Sequence, residues 1–483
     1  MLKKYLVPIV LGLLIIIINA YRFVNLDNIP NGMQIDEQTS GVTLTCLAQE
    51  GTAPLGYTHY PLFGYNSFAT PTPPTYMYPG MLWVKAFGFT IGSLRAFTAF
   101  AFTIALLGLF AIGRHWGGIR CGLWILLAGS ISPWTWTFAR VAWESIFMIP
   151  FLVWGLFFCF IASKHRHFIF AGILLSAAAY SYPPARLEVP LTLVMLVIYG
   201  MLALRWKWSH VITLGAAFFI TSLPLGIIYL TDKSLSARFN ELSITNINYL
   251  SSLGMTGSVT DLISIIAKNF ISFLTPDFLF FKGTPLNLTL TTGRQGIMSW
   301  LDVTAVVLLL PALVLSIKDR KAPSTPMLWL FGFLAINLLI GIFPATLISI
   351  DNPHPLRALG AWPFAILATG LIIHKSIERC IWISIPATIV GIGFTYVFLT
   401  QYFTQYPKDS IGMFNIWTVT EAQNAKTDND WMTFLYHYHP HMFTSRYFLM
   451  RYRGQSCKEA RETWTNLYPM FKRVYEQQKT APH

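Results

Sequence analysis

Phe97-Thr-Ala-Phe-Ala-Phe-Thr-Ile-Ala-Leu-Leu-Gly-Leu-Phe-Ala-Ile-Gly113 is followed by Arg114-His-Trp-Gly-Gly-Ile-Arg120, and then by Cys121-Gly-Leu-Trp-Ile-Leu-Leu-Ala-Gly-Ser-Ile131. Two apolar runs, over 94–113 and 121–138, flank a short basic connector. Each approaches the roughly 20 residues that a helix needs to cross a bilayer. The same pattern repeats on both sides, at 5–21, 145–162, 167–182, 186–204, 211–230, 298–317, 327–349, 357–373 and 381–403. The reading is an all-α integral membrane protein with about 11 transmembrane helices. Composition agrees: 54% of residues are hydrophobic and 11% are charged, less than half the roughly 25% charge of a soluble domain.

The charges set the topology. With Lys3 and Lys4 in the cytoplasm and sides alternating, the cytoplasmic connectors hold Arg114, Arg120, Lys164, Arg166, Arg205, Lys207, Lys318, Arg320, Lys321, Lys375 and Arg379, against only Asp319 and Glu378. Basic residues on the cytoplasmic side of short loops orient membrane proteins. Most of the net charge of +13 is therefore a topology signal, and no nucleic-acid partner is expected. Three long segments fall on the opposite side: loop 22–93, loop 231–297 and the C-terminal region 404–483. Lys3-Lys4 and the apolar core ending near Ala20 resemble a signal peptide. An uncleaved anchor better suits a motif placed so close behind it.

The polar residues of interest lie on that opposite side. Loop 22–93 carries Pro30-Asn-Gly-Met-Gln-Ile-Asp36-Glu37, then Pro71-Thr-Pro73-Pro74. Asp36 reads as a general base at a membrane-surface cleft, or as the N-cap of a helix over 37–49. Arg140 and Glu144, spaced i, i+4, are placed to pair on one helical face. Tyr180-Ser-Tyr182-Pro-Pro-Ala-Arg186-Leu-Glu188 and Asp351-Asn-Pro-His354-Pro-Leu-Arg357 each set an arginine at a helix mouth behind a proline-stiffened turn. One such arginine reads as interfacial snorkelling. Two beside a carboxylate motif point to phosphate, which guanidinium binds through parallel donors.

These motifs, in this order and on one side, resemble the GT-C membrane glycosyltransferases. The nearest group is the protein O-mannosyltransferase and lipid A aminoarabinose transferase superfamily, and the resemblance runs over about 1–403. It implies a GT-C catalytic domain over 1–403 and a sugar donor on a polyprenyl phosphate. Asp36 is the implied catalytic base, with Glu37 beside it. Arg140, Arg186 and Arg357 fall near the donor phosphate, and Glu144, Tyr182 and His354 support them. Pro73-Pro74 matches the Pro-Pro turn of that group, but Thr72 stands where a His or Lys is often found. That departure leaves the acceptor side and any divalent metal open; no cofactor is assigned.

The expected activity is transfer of the sugar, with inversion because one displacement inverts the anomeric carbon, to a hydroxyl on a lipid, glycan or protein. A sugar phosphate already has a good leaving group, so one base and charge stabilisation suffice. Hydrolysis of a glycoside uses an acid as well. Other readings are a secondary transporter, a flippase, a ligase for lipid-linked glycans, or a scaffold. Transporters place charge near the midplane, often in two related halves, whereas here charge sits at helix ends and no repeat is visible. Asp428-Asn-Asp430 reads as a solvated turn, and His437-Tyr-His439-Pro-His441 as a plain loop more than a metal site. Cys46 and Cys457 share a compartment, which permits a disulfide without indicating one. One glycosylation sequon, Asn287-Leu-Thr289, favours a bacterial inner membrane with the site in the cell envelope.

Overall fold

A computed structural model describes residues 2–53, 61–65, 71–232, 234–318, 325–438 and 442–466. Among the described residues the regular structure is helical apart from a two-residue pairing of Gly64–Tyr65 with Pro71–Thr72 and an isolated bridge between Ser243 and Ile348. The chain's apolar helices make it an integral membrane protein, and lipid, which offers the backbone no hydrogen bonds, suits a helix that satisfies its own. Each of the eleven apolar runs falls on a helix. Among the described residues, six helices are long and apolar enough to cross a membrane, or seven if a bent pair counts as one span.

Two differences from the sequence reading have clear causes. Helix Ile91–Ile131 runs through two of the apolar runs and is broken only by non-helical backbone at Gly117 and Gly118. Gly118 has φ +73, where a side chain is disfavoured, and both glycines lie inside the basic connector. In addition, Val259–Phe281 is also long and apolar enough to cross a membrane, although the hydropathy pattern places it in an external loop. Its charges are few, and its apolar residues are spread along a helix rather than packed into one unbroken run.

The chain divides into two compact units. The helical unit comprises Met1–Val24, Ala99–Ala139 and Ser145–Tyr406. Helix His165–Ser181 packs against Met148–Phe160, Ala185–Leu202 and Trp208–Thr231, and Thr325–Thr346 packs against Ala185–Leu202 and Ala361–Arg379. Aromatic residues fill its core. The Arg22 guanidinium lies 4.4 Å from the Phe102 ring centre and 4.3 Å from that of Trp136, an arrangement that offsets the cost of burying a cation. Trp362 Nε1 donates to Ser132 Oγ at 3.0 Å.

The motif unit comprises Asn25–Thr98, the turn Arg140–Glu144, and the chain from Pro407 onward. Its centre is the motif helix, Ile35–Glu50, buried along most of its length from Glu37 to Leu47. Helix Pro74–Phe87 and helix Met442–Tyr452 pack against it. Pro73 is the N-cap of Pro74–Phe87, and Pro74 occupies its first turn, where the missing N–H costs nothing.

Candidate active site

The motif helix begins at Ile35, and its N-cap is Gln34. Asp36 N–H donates to Gln34 Oε1 at 2.6 Å, and Gln34 N–H donates to Glu37 Oε2 at 3.0 Å. This is a reciprocal capping box. Asp36 is therefore not the cap; it lies in the first turn, half-buried, with Gln34 Nε2 donating to its Oδ2 at 3.2 Å. A carboxylate in the first turn also gains from the helix dipole.

Glu37 faces inward and is fully buried. Arg95 Nε donates to Glu37 Oε1 at 2.9 Å and Arg95 Nη2 to Oε2 at 3.0 Å. Ala142 N–H donates to Oε1 at 2.9 Å. The rest of the Arg95 fork goes to main-chain carbonyls: Leu26 at 2.9 Å, Pro30 at 2.8 Å and Gly32 at 2.7 Å. One buried ion pair thus fixes the segment before the motif, the first helical turn and the Arg140–Glu144 turn. Satisfied on every side, it avoids the penalty of an unpaired buried charge. Arg95 was missed from sequence, where it reads as one more charge at the mouth of an apolar run.

The Arg140–Glu144 turn does not form the expected helical face. The helices Pro133–Arg140 and Glu144–Phe160 meet at 117°, so the i, i+4 geometry is absent. Arg140 is fully buried, and its Nη2 donates to the Ile29 carbonyl at 3.0 Å. Trp143 Nε1 donates to Gln34 Oε1 at 3.2 Å. Glu144, the last residue of this turn, is pushed up to about 7, first by burial and then by the charge of Asp36. The two carboxyl groups are thus electrostatic neighbours. Tyr76, hydrogen-bonded to Ser40, is held above its ordinary range by burial and then by Glu144.

The helical unit holds the other expected residues. Tyr182 is the C-cap of His165–Ser181. The Arg186 guanidinium lies 5.7 Å from the Tyr229 ring centre. Arg357 Nη1 donates to the Ile350 carbonyl at 2.6 Å, and Nη2 lies 3.9 Å from Asp351 Oδ2. Burial first, and then the Arg357 charge, hold His354 down at about 3, so its ring is neutral. Glu188 is buried against Gly360, at the start of helix Ala361–Arg379, so closely that a Cβ on Gly360 has no room.

Among the described residues no three His, Cys, Asp or Glu side chains gather as a metal-binding group. Glu37 is committed to Arg95, so Asp36 and Glu144 do not make a full ligand set, and no step is routed through a metal. Asp430 accepts from Thr427 N–H at 2.8 Å at the start of helix Asp428–Tyr438, and Asp428 pairs with Arg453; the Asp-x-Asp is a helix start. The run His437–His441 lies outside the residues whose side chains are described. Cys46 and Cys457 form a disulfide.

No protein-family profile matches the chain, and no curated protein matches it. Solved structures similar to it include ArnT, a lipid A aminoarabinose transferase, from Cupriavidus metallidurans, bound to undecaprenyl phosphate. The TM-score is 0.47 at 14% identity, over 95% of this chain and 75% of that one. The oligosaccharyltransferase of Archaeoglobus fulgidus gives a TM-score of 0.49 at 14% identity, over 89% of this chain and 60% of that one. The archaeal oligosaccharyltransferase AglB from Archaeoglobus fulgidus, in complex with an inhibitory peptide and a dolichol-phosphate, gives 0.46 at 13% identity, over 90% and 60%.

Proposed function

We propose that the protein is a glycosyltransferase that moves a sugar from a polyprenyl-phosphate donor to an acceptor hydroxyl, with Asp36 as general base. The observation that carries this reading is the division of labour among neighbouring groups. Gln34 takes the cap and Glu37 takes the buried pair with Arg95, and Asp36 stands beside them in the first turn, with Gln34 Nε2 on its carboxylate. Its carboxylate is held at a half-buried helix start, as a positioned base requires.

In this reading the acceptor oxygen gives its proton to Asp36 Oδ and attacks the anomeric carbon. The bond from that carbon to the phosphate oxygen breaks, and the electron pair leaves with the phosphate. The resemblance to GT-C glycosyltransferases proposes Arg186 and Arg357 as the groups that neutralise that charge. Arg140, buried on the Ile29 carbonyl, holds the segment before the motif. Glu37 and Arg95 keep the motif helix in register and do not touch substrate. One displacement inverts the anomeric carbon.

The Cys46–Cys457 disulfide supports an oxidising compartment for the motif unit, because cytosolic thiols stay reduced. With the basic connectors, it favours a cytoplasmic N-terminus and an active site on the outer face of a bacterial inner membrane. The test is a panel of radiolabelled polyprenyl-phosphate sugars given to the protein in detergent, with membrane extract as acceptor. Turnover of one donor, lost in Asp36→Asn, is the expected result. No turnover of any donor contradicts the reading and directs attention to flux assays for transport.

A further inference from the structure

The C-terminal region belongs to the same unit as the acidic motif, and it grips the motif helix at both ends. At the N-terminal end, Met33 N–H donates to the Phe414 carbonyl, and Asn31 Nδ2 donates to the Pro407 carbonyl at 2.9 Å. Gly32 has φ +86 and lies against Phe414 and Ile416 main chain so tightly that a Cβ has no space. These residues immediately precede Gln34, the cap that also holds the Asp36 carboxylate.

At the C-terminal end of the motif helix, Cys46 is joined to Cys457 across 411 residues, and both cysteines are fully buried. Cys457 N–H donates to Gln49 Oε1 at 2.8 Å, and Arg461 Nη2 pairs with Glu50 Oε2 at 2.7 Å. Arg446 is buried beside the bridge, with Nη2 at 3.4 Å from Cys457 Sγ. The contacts at the two ends involve different residues and different chemistry, yet they act on one rigid helix of 16 residues.

We infer that residues 407–438 and 442–466 form a brace that positions Asp36, and that the Cys46–Cys457 disulfide is the lock on which its catalytic geometry depends. This rests on the reading of Asp36 as the base. Cutting the disulfide loosens the far end of the motif helix, and Met33 N–H, just before the cap, then loses register with the Phe414 carbonyl. Small displacements of a catalytic group are costly, on the order of a hundredfold for about 1 Å. The loss falls on kcat, while KM for the lipid donor stays within about twofold, because Arg186 and Arg357, proposed to bind the phosphate, belong to the other compact unit.

The test uses the full chain in detergent, as wild type, as Cys46→Ala/Cys457→Ala, and as Gly32→Ala, which disturbs the other grip with the disulfide intact. Amide hydrogen exchange over residues 31–38 is read beside transfer kinetics. The brace predicts exchange at least about tenfold faster over 31–38 in both variants, unchanged exchange in the helical unit, and a fall in kcat without a matching rise in KM. Reduction of the wild type followed by reoxidation gives the same loss and its recovery, so the result stands even where the double variant folds poorly. Unchanged exchange over 31–38 after verified loss of the disulfide overturns the brace. Faster exchange in a protein whose wild type turns over no donor upholds the brace and counts against the glycosyltransferase reading alone.

Discussion

Glu37 and Glu188 are both buried, at 0% and 1% exposure, and the two regions treat them in opposite ways. Glu37 accepts from both arms of Arg95, from Ala142 N–H and from Gln34 N–H. Glu188 Oε1 has no hydrogen-bond partner, and its carboxylate rests on Gly360 at a helix start. The motif unit is thus specified by directional bonds, and this part of the helical unit by shape. A directional network holds one geometry and fails when a member is lost. A packed contact tolerates a change of charge and resists a change of volume.

The largest effect that sharpens this contrast is chemical. Asp36→Asn lowers kcat by about 10²–10⁴-fold, the range for loss of a general base, as read in the transfer assay with the identified donor. Next comes Arg95→Ala, which strands Glu37 and destabilises the motif unit by about 3–5 kcal/mol, read as the denaturant midpoint of exchange over 31–38. Arg95→Lys does not restore it, because an ammonium cannot reproduce the fork. In the helical unit the order of sensitivity reverses. Gly360→Ala costs about 1–3 kcal/mol by overpacking, whereas Glu188→Gln changes the melting temperature less than Glu37→Gln does. Equal shifts for the two glutamines would break the contrast.

The smallest effect is in pH, and its sign differs between regions. Glu144 is raised from 4.5 to about 7, so its contribution to stability is fully present below about pH 4.5 and is lost as pH rises to 7. His354 is lowered from 6.5 to about 3. Its contribution is present above pH 6.5 and is lost as pH falls towards 3. Melting curves between pH 4 and 8 are expected to lose the first dependence in Glu144→Gln and the second in His354→Asn.

What was legible in the sequence follows the same division. Hydropathy located eleven apolar runs, because burial in lipid is a property of composition over about 20 residues, but it missed Val259–Phe281, whose apolar residues do not form one unbroken run. The Asp36-Glu37 pair and its helix were also legible, but the roles within the pair were not. Glutamine is an uncommon cap, so Gln34 gave no signal. The Arg95 partner lies 58 residues from Glu37, and nothing local distinguishes it from an interfacial charge. Arg140 and Glu144 were read on a continuous helix, while the chain bends between them. The cysteine pair was noticed by compartment alone, since 411 residues of separation carry no spacing rule.

The most direct test of the central claim, that Asp36 serves chemistry while its neighbours serve shape, is a paired reading of transfer rate and melting temperature for Asp36→Asn beside wild type. Transfer lost with an unchanged melting temperature is the predicted result, because the cap and the buried ion pair stay intact. Transfer retained, or lost together with a lowered melting temperature, contradicts the assignment.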